Sequence, residues 1–210
     1  METIKNTSKA ENVGTEEMHV NEALPAYNRD GHYTYADYLT WDDGERWELI
    51  DGKPYLMSAP NINHQILLGE IFRQLANFLK GKKCRVFPAP FDVRLSHDTL
   101  DNTVVQPDVL VVCDIKKLAD GKALTGAPDL AVEILSPSNP SHDKVTKFNK
   151  YLKAGIKEFW IIDPVSKTVF VNILSDGTYT SRIYGATGGI SLHILSDCVI
   201  DLDELFTEIN

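Results

Sequence analysis

Residues 128–163 constrain this chain more than any other stretch. PDLAVEIL (128–135) is an apolar run of strand length, and KEFWIID (157–163) is another, stopped by Pro164. Between them, HDKVTKFNKYLKA (142–154) has helical periodicity and ends at Gly155, a natural residue for the position after a helix. Strand, helix and strand in that order permit a parallel crossover. Two hairpin signatures add antiparallel strands: RWELI and PYLM around Asp51-Gly52, then TVFVNIL and YTSRIY around Asp176-Gly177. The second hairpin either completes the sheet or supplies a surface for a homodimer partner. The expected fold is therefore α/β, a mixed central sheet with flanking helices and additional hairpins.

Other segments fit that plan. Thr34 is placed to cap a short helix, YADYLTW. Asn61 or Asn63 opens a long helix that ends at Lys80. Ile66, Leu67, Ile71, Leu75, Phe78 and Leu79 lie near one of its faces, and Gly81 stops it. CRVFPAPFDVRL (84–95) and TVVQPDVLVV (103–112) read as two further strands, residues 114–127 as a loop, and DLDELF as a last turn. Residues 1–30 are polar and aperiodic and read as a disordered tail, which leaves 31–210 as one domain.

Composition narrows the function. A formal net charge of −9 argues against broad electrostatic binding to nucleic acid, though not against a local basic groove. Cys84, Cys113 and Cys198 are odd in number and far apart, so neither a zinc knuckle nor a disulfide framework is expected, and a reducing cytoplasm is. No apolar run is long enough to span a membrane, and no secretory signal is visible.

Two acids stand inside apolar runs. Asp108 follows Gln106 and Pro107 in TVVQPDVLVV, and Glu133 is enclosed by aliphatics in LAVEILSPS. Two carboxylates brought together in a buried place repel each other and lose hydration, which a shared cation relieves. Hard divalent ions prefer oxygen ligands. Each acid has a blander reading. Asp108 fits a bulge with its side chain in solvent or on a backbone N–H, and Glu133 fits an ion pair with a lysine or arginine. On the helix, Phe148, Tyr151, Leu152 and Gly155 form the inner face, with Lys147 at its edge and Lys144 nearer its middle. Lys150 and Lys153 point away. Lys147 either reaches inward, its stem over apolar surface, or pairs with Asp143 at i,i+4 on the outside. Glu48 is open between a site role and a cross-strand pair with Arg46 or Lys53. His64 fits a capping or packing residue. Gln106 is a candidate for positioning a water or a phosphate.

Taken in order, WELIDG (47–52), PNINH (60–64), QPDVLVV (106–112), LAVEILSPS (130–138), Asp143-x-x-x-Lys147 and YLKAGIKEFWIIDP (151–164) resemble a restriction-endonuclease-like family of the PD-(D/E)XK phosphodiesterase superfamily. The resemblance spans about residues 33–206. It implies an endonuclease that cleaves phosphodiester bonds, in DNA above all, with Mg²⁺ or Mn²⁺ held by Asp108 and Glu133 and with Glu48 as a further ligand. Asp108 matches the first strand acid and Glu133 the second. The superfamily pattern then expects a lysine where this chain has Leu135. This branch is understood to carry it on the following helix, where Lys147 matches and Lys144 is the fallback. His64 matches a family position as well. Two other readings stand beside this one: a catalytically silent binding module of the same fold, and a metal-dependent hydrolase of a small phosphate ester.

Overall fold

The computed structural model describes residues 32–95, 100–136 and 142–209, with residues 142–145 described by backbone alone. Residues 1–31, which include the expected tail, lie outside the described residues. A six-stranded mixed sheet forms the centre. Its strands are β3 (Arg85–Pro88), β6 (Val109–Val112), β8 (Leu130–Ile134), β9 (Glu158–Asp163), β10 (Thr168–Ser175) and β11 (Thr178–Tyr184), in the order β11-β10-β9-β8-β6-β3. β8 and β9 are parallel, joined through helix α3 (His142–Ala154), and the other pairings are antiparallel. Gly155 takes φ 78° just after α3, a conformation that favours glycine.

Each strand sends alternate residues to opposite faces, as the pleat requires. Val109, Val111, Leu130 and Val132 pack on helix α2 (Ile62–Leu79), through Leu67, Ile71 and Leu75 at helical spacing. Asn61 caps α2 by accepting the His64 backbone N–H. A small hairpin, β12 (Gly189–Ser191) with β13 (Val199–Asp201), and helix α4 (Leu202–Phe206) close this side. Leu110, Val112, Ala131 and Phe159 face the other way, onto Tyr151 and Phe148 of α3.

A second sheet shares that other core. It comprises β1 (Trp47–Ile50), β2 (Lys53–Leu56), β4 (Val93–Arg94), β5 (Val104–Val105) and β7 (Leu124–Thr125), ordered β2-β1-β5-β4-β7. Ile50, Val93, Val105 and Leu124 enter the core with the α3 face of the central sheet. The far side of this sheet is covered by Tyr33 and by Tyr35 of helix α1 (Tyr35–Tyr38), whose capping box is closed by Thr34 and Asp37.

Several sequence expectations change. TVVQPDVLVV is two strands in two sheets, β5 and β6, and Gln106-Pro107 is where the chain crosses between them. CRVFPAPFDVRL divides in the same way into β3 and β4, at Pro88-Ala89-Pro90. A proline has no N–H for a ladder, so each break falls where one sheet ends. The expected loop at 114–127 contains a 3₁₀ turn (Ile115–Leu118) and β7.

The cysteine expectation is overturned. Cys84 and Cys113 form a disulfide, because β3 and β6 pair antiparallel with Arg85 opposite Val112, which brings the flanking cysteines face to face. Sequence separation had concealed spatial adjacency, and the cysteine argument for a reducing compartment falls with it. No helix among the described residues is long and apolar enough to cross a membrane.

Candidate active site

One pocket, with a cavity of about 130 Å³, is lined by Glu48, His64, Asp108, Glu133 and Lys147, with apolar walls that include Leu135 and Ile161. Five segments bring the polar groups there: β1 (Glu48), α2 (His64), the residue before β6 (Asp108), β8 (Glu133) and α3 (Lys147). Asp108 immediately precedes β6, and the β6–β8 register pairs Val109 with Val132. The next step along that ladder sets Asp108 opposite Glu133, with both side chains on the α3 face. Glu48 comes from β1 of the second sheet. It lies on the same face as Ile50, which enters the shared core.

Asp108 is fixed on one oxygen. Its Oδ2 accepts the Ile134 backbone N–H at 2.7 Å and lies 3.2 Å from His64 Nε2. Oδ1 has no hydrogen-bond partner among the described residues. His64 therefore does more than the capping expected of it. Asn61 is the cap, and the ring stands against the acid with Nδ1 buried and unpartnered among the described residues.

Lys147 lies between two carboxylates. Its Nζ is 2.9 Å from Glu48 Oε1 and 3.2 Å from each oxygen of Glu133. The helix-edge position suggested a partly exposed side chain, yet Lys147 is only 5% exposed. The second sheet supplies Glu48 on that side of α3, a tertiary contact that helical periodicity does not encode. Burial alone would lower the Lys147 pKa, but Glu133 and Glu48 outweigh it and hold the ammonium charged.

Glu133 behaves differently. Burial, reinforced by Asp108 and Glu48, pushes its carboxyl up to about 8 against the pull of Lys147. Lys147 serves two carboxylates, with Asp108 a third acid nearby, so in the absence of a metal the lysine keeps its proton and Glu133 is the group pushed toward its neutral form. Its Oε1 also accepts the hydroxyl of Tyr151, one turn beyond Lys147 on α3. Burial and the neighbouring Glu133 hold that phenol protonated. Tyr151 had been assigned to packing alone. The available signal was a residue with a polar tip on an apolar helix face, four positions from the candidate lysine.

Two other candidates sit differently. Gln106 is outside the pocket lining. Its backbone N–H donates to Glu48, its amide oxygen accepts from Arg46, and its amide nitrogen donates to Tyr38 and Asp92. Gln106 thus braces Glu48, and the Glu48–Arg46 pair weighed from sequence is not what forms. The Lys144 side chain lies outside the described residues, as does that of Asp143. Lys150, expected in solvent, pairs with Asp51.

Among the described residues, no three His, Cys, Asp or Glu side chains converge tightly enough to hold an ion by themselves. Mg²⁺ asks for less: one or two carboxylates, with waters and substrate phosphate completing an oxygen shell. The Asp108–Glu133 pair fits that demand by its donor chemistry, by its shared face and by the unpartnered Asp108 Oδ1.

Comparison with known proteins identifies the fold and the family. A crystal structure described as "a putative nuclease belonging to DUF820" from Anabaena variabilis superimposes with a TM-score of 0.70. It is 19% identical, and the match covers 85% of this chain and 99% of that one, showing a shared restriction-endonuclease-like fold. Two uncharacterized proteins of Synechocystis are similar in sequence. One is 31% identical over 55% of this chain and 60% of its own length, the other 25% identical over 62% and 74%. The match thus spans less than two thirds of the first relative. The Uma2 family model, described as "Putative restriction endonuclease", matches residues 35–202, and the chain belongs to that nuclease-like family.

Proposed function

We propose that this protein is a metal-dependent endonuclease that hydrolyses phosphodiester bonds, with DNA as its substrate. The observation that carries this reading is the placement of Asp108 opposite Glu133 across two adjacent strands, with a buried, charged lysine beside them in one pocket. Asp108 and Glu133 would hold Mg²⁺ or Mn²⁺, with Glu48 of β1, which lines the same pocket, as a further oxygen. Such an ion, when bound, supplies Lewis acidity toward a phosphoryl oxygen and lowers the pKa of water. The chain's own groups do the rest. His64 and the Ile134 N–H keep Asp108 aimed. Glu48 holds Lys147 at the pocket, where its ammonium offsets negative charge growing on phosphorus.

A cleavage assay on supercoiled plasmid, single-stranded DNA and a generic phosphodiester, with Mg²⁺, Mn²⁺ or EDTA, tests this directly. Metal-dependent cutting of DNA supports the proposal. Turnover of the small ester alone favours the small-substrate hydrolase, which the net charge of −9 suits. No turnover on any substrate favours a silent binding module. The same experiments in dimer-forming and dilute conditions would show whether a twofold partner is needed to cut both strands. A cytoplasmic location belongs to the same proposal, as the place where cellular DNA is met.

A further inference from the structure

We propose that Tyr151 is a positioning residue for the reaction, holding Glu133 in the orientation that metal binding requires. The inference rests on the metal-site reading above. The Tyr151 hydroxyl donates to Glu133 Oε1 from a side chain with no exposed surface. Its ring is fixed edge-on to Phe159, with centroids 4.9 Å apart and planes at 87°. The donor therefore has little freedom to leave its acceptor. Tyr151 and Lys147 are four residues apart on α3, so one helix face presents a neutral and a charged donor to the same carboxylate.

The two donors are not equivalent. Lys147 divides its ammonium between Glu48 and both oxygens of Glu133, and that ammonium must also be free to answer charge on a phosphate. As its hold on Glu133 loosens, a carboxylate with no other tie would rotate. Tyr151 pins Oε1 without adding charge, which leaves Oε2 to the pocket. Partners of this kind, behind a metal ligand, typically change metal affinity or activity about 10- to 100-fold when removed. A buried phenol that merely satisfies its own hydroxyl would have no such effect.

Tyr151→Phe deletes the hydroxyl and keeps the ring against Phe159. The test follows the melting temperature of wild type and variant through a Mn²⁺ titration, and separately measures kcat and KM on cleaved DNA. Tyr179→Phe is the control: it removes a hydroxyl bonded to the Ile156 carbonyl in the same aromatic cluster, away from the acids. The proposal predicts that Tyr151→Phe raises the Mn²⁺ concentration at half-maximal shift about 10-fold or more and lowers kcat with KM for DNA unchanged, while Tyr179→Phe matches wild type. An unchanged Mn²⁺ midpoint in Tyr151→Phe overturns it. So does a Tyr151→Phe protein that cannot fold, since the hydroxyl is then a structural requirement. A wild type whose melting temperature ignores Mn²⁺ overturns the metal reading itself, and this role with it.

Discussion

Lys147 Nζ stands 2.9 Å from Glu48 Oε1 and 3.2 Å from Glu133, so one helix-borne ammonium joins a carboxylate from each of the two sheets. Removing it leaves two acids without their cation in a buried place. Lys147→Met, which keeps most of the stem, should cost about 3–5 kcal/mol of stability. Its DNA cleavage should fall on the order of 100-fold or more. Lys153, exposed on the same helix, provides the comparison. If Lys147→Met cuts as fast as Lys153→Ala, the lysine has no part in turnover.

Glu133 should give the protein a particular pH profile. Its carboxyl rises from an ordinary value of 4.5 to about 8 in the folded state. The folded chain therefore binds this proton more tightly than the unfolded chain. Its contribution to stability is fully present below about pH 4.5 and is lost as pH rises toward about 8. In metal-free buffer with EDTA, the melting temperature of wild type should decline across that interval, and that of Glu133→Gln should change less. Parallel profiles would mean that Glu133 does not titrate there.

The Cys84–Cys113 bond ties the edge strand β3 to β6, the strand that Asp108 immediately precedes. It links cysteines 29 positions apart in sequence, which in the chain-entropy account contributes ~3–4 kcal/mol. Urea unfolding of Cys84→Ser/Cys113→Ser against oxidised wild type should show a loss of that order. Coincident transitions would indicate that the bond does not form in solution. Cys198 is not expected to replace either partner, since burial pushes its thiol up to about 11.

Local signals were readable where local chemistry decides the structure. Asp51-Gly52 and Asp176-Gly177 turn their hairpins, Thr34 and Asn61 cap their helices, and the apolar runs around Asp108 and Glu133 are neighbouring strands. What was illegible depends on long-range pairing. The division of TVVQPDVLVV between two sheets explains why a proline and an acid interrupt an apolar run, yet nothing in those ten residues announces a second sheet. The burial of Lys147 depends on Glu48, which lies 99 positions earlier in the chain. Cys84 meets Cys113 only once β3 is set against β6. The Tyr151 hydroxyl finds Glu133 only when α3 crosses the sheet. In each case the deciding partner belongs to another element.

The most direct test of a cation shared by Asp108 and Glu133 is the melting temperature with and without Mn²⁺, in wild type and in Asp108→Asn. In the absence of metal, the neutral amide can still accept the Ile134 N–H and no longer repels Glu133. Asp108→Asn should then be as stable as wild type, or more so. Added Mn²⁺ should raise the wild-type melting temperature by mass action and leave Asp108→Asn unmoved. An equal rise in both proteins would place the ion elsewhere and contradict the account.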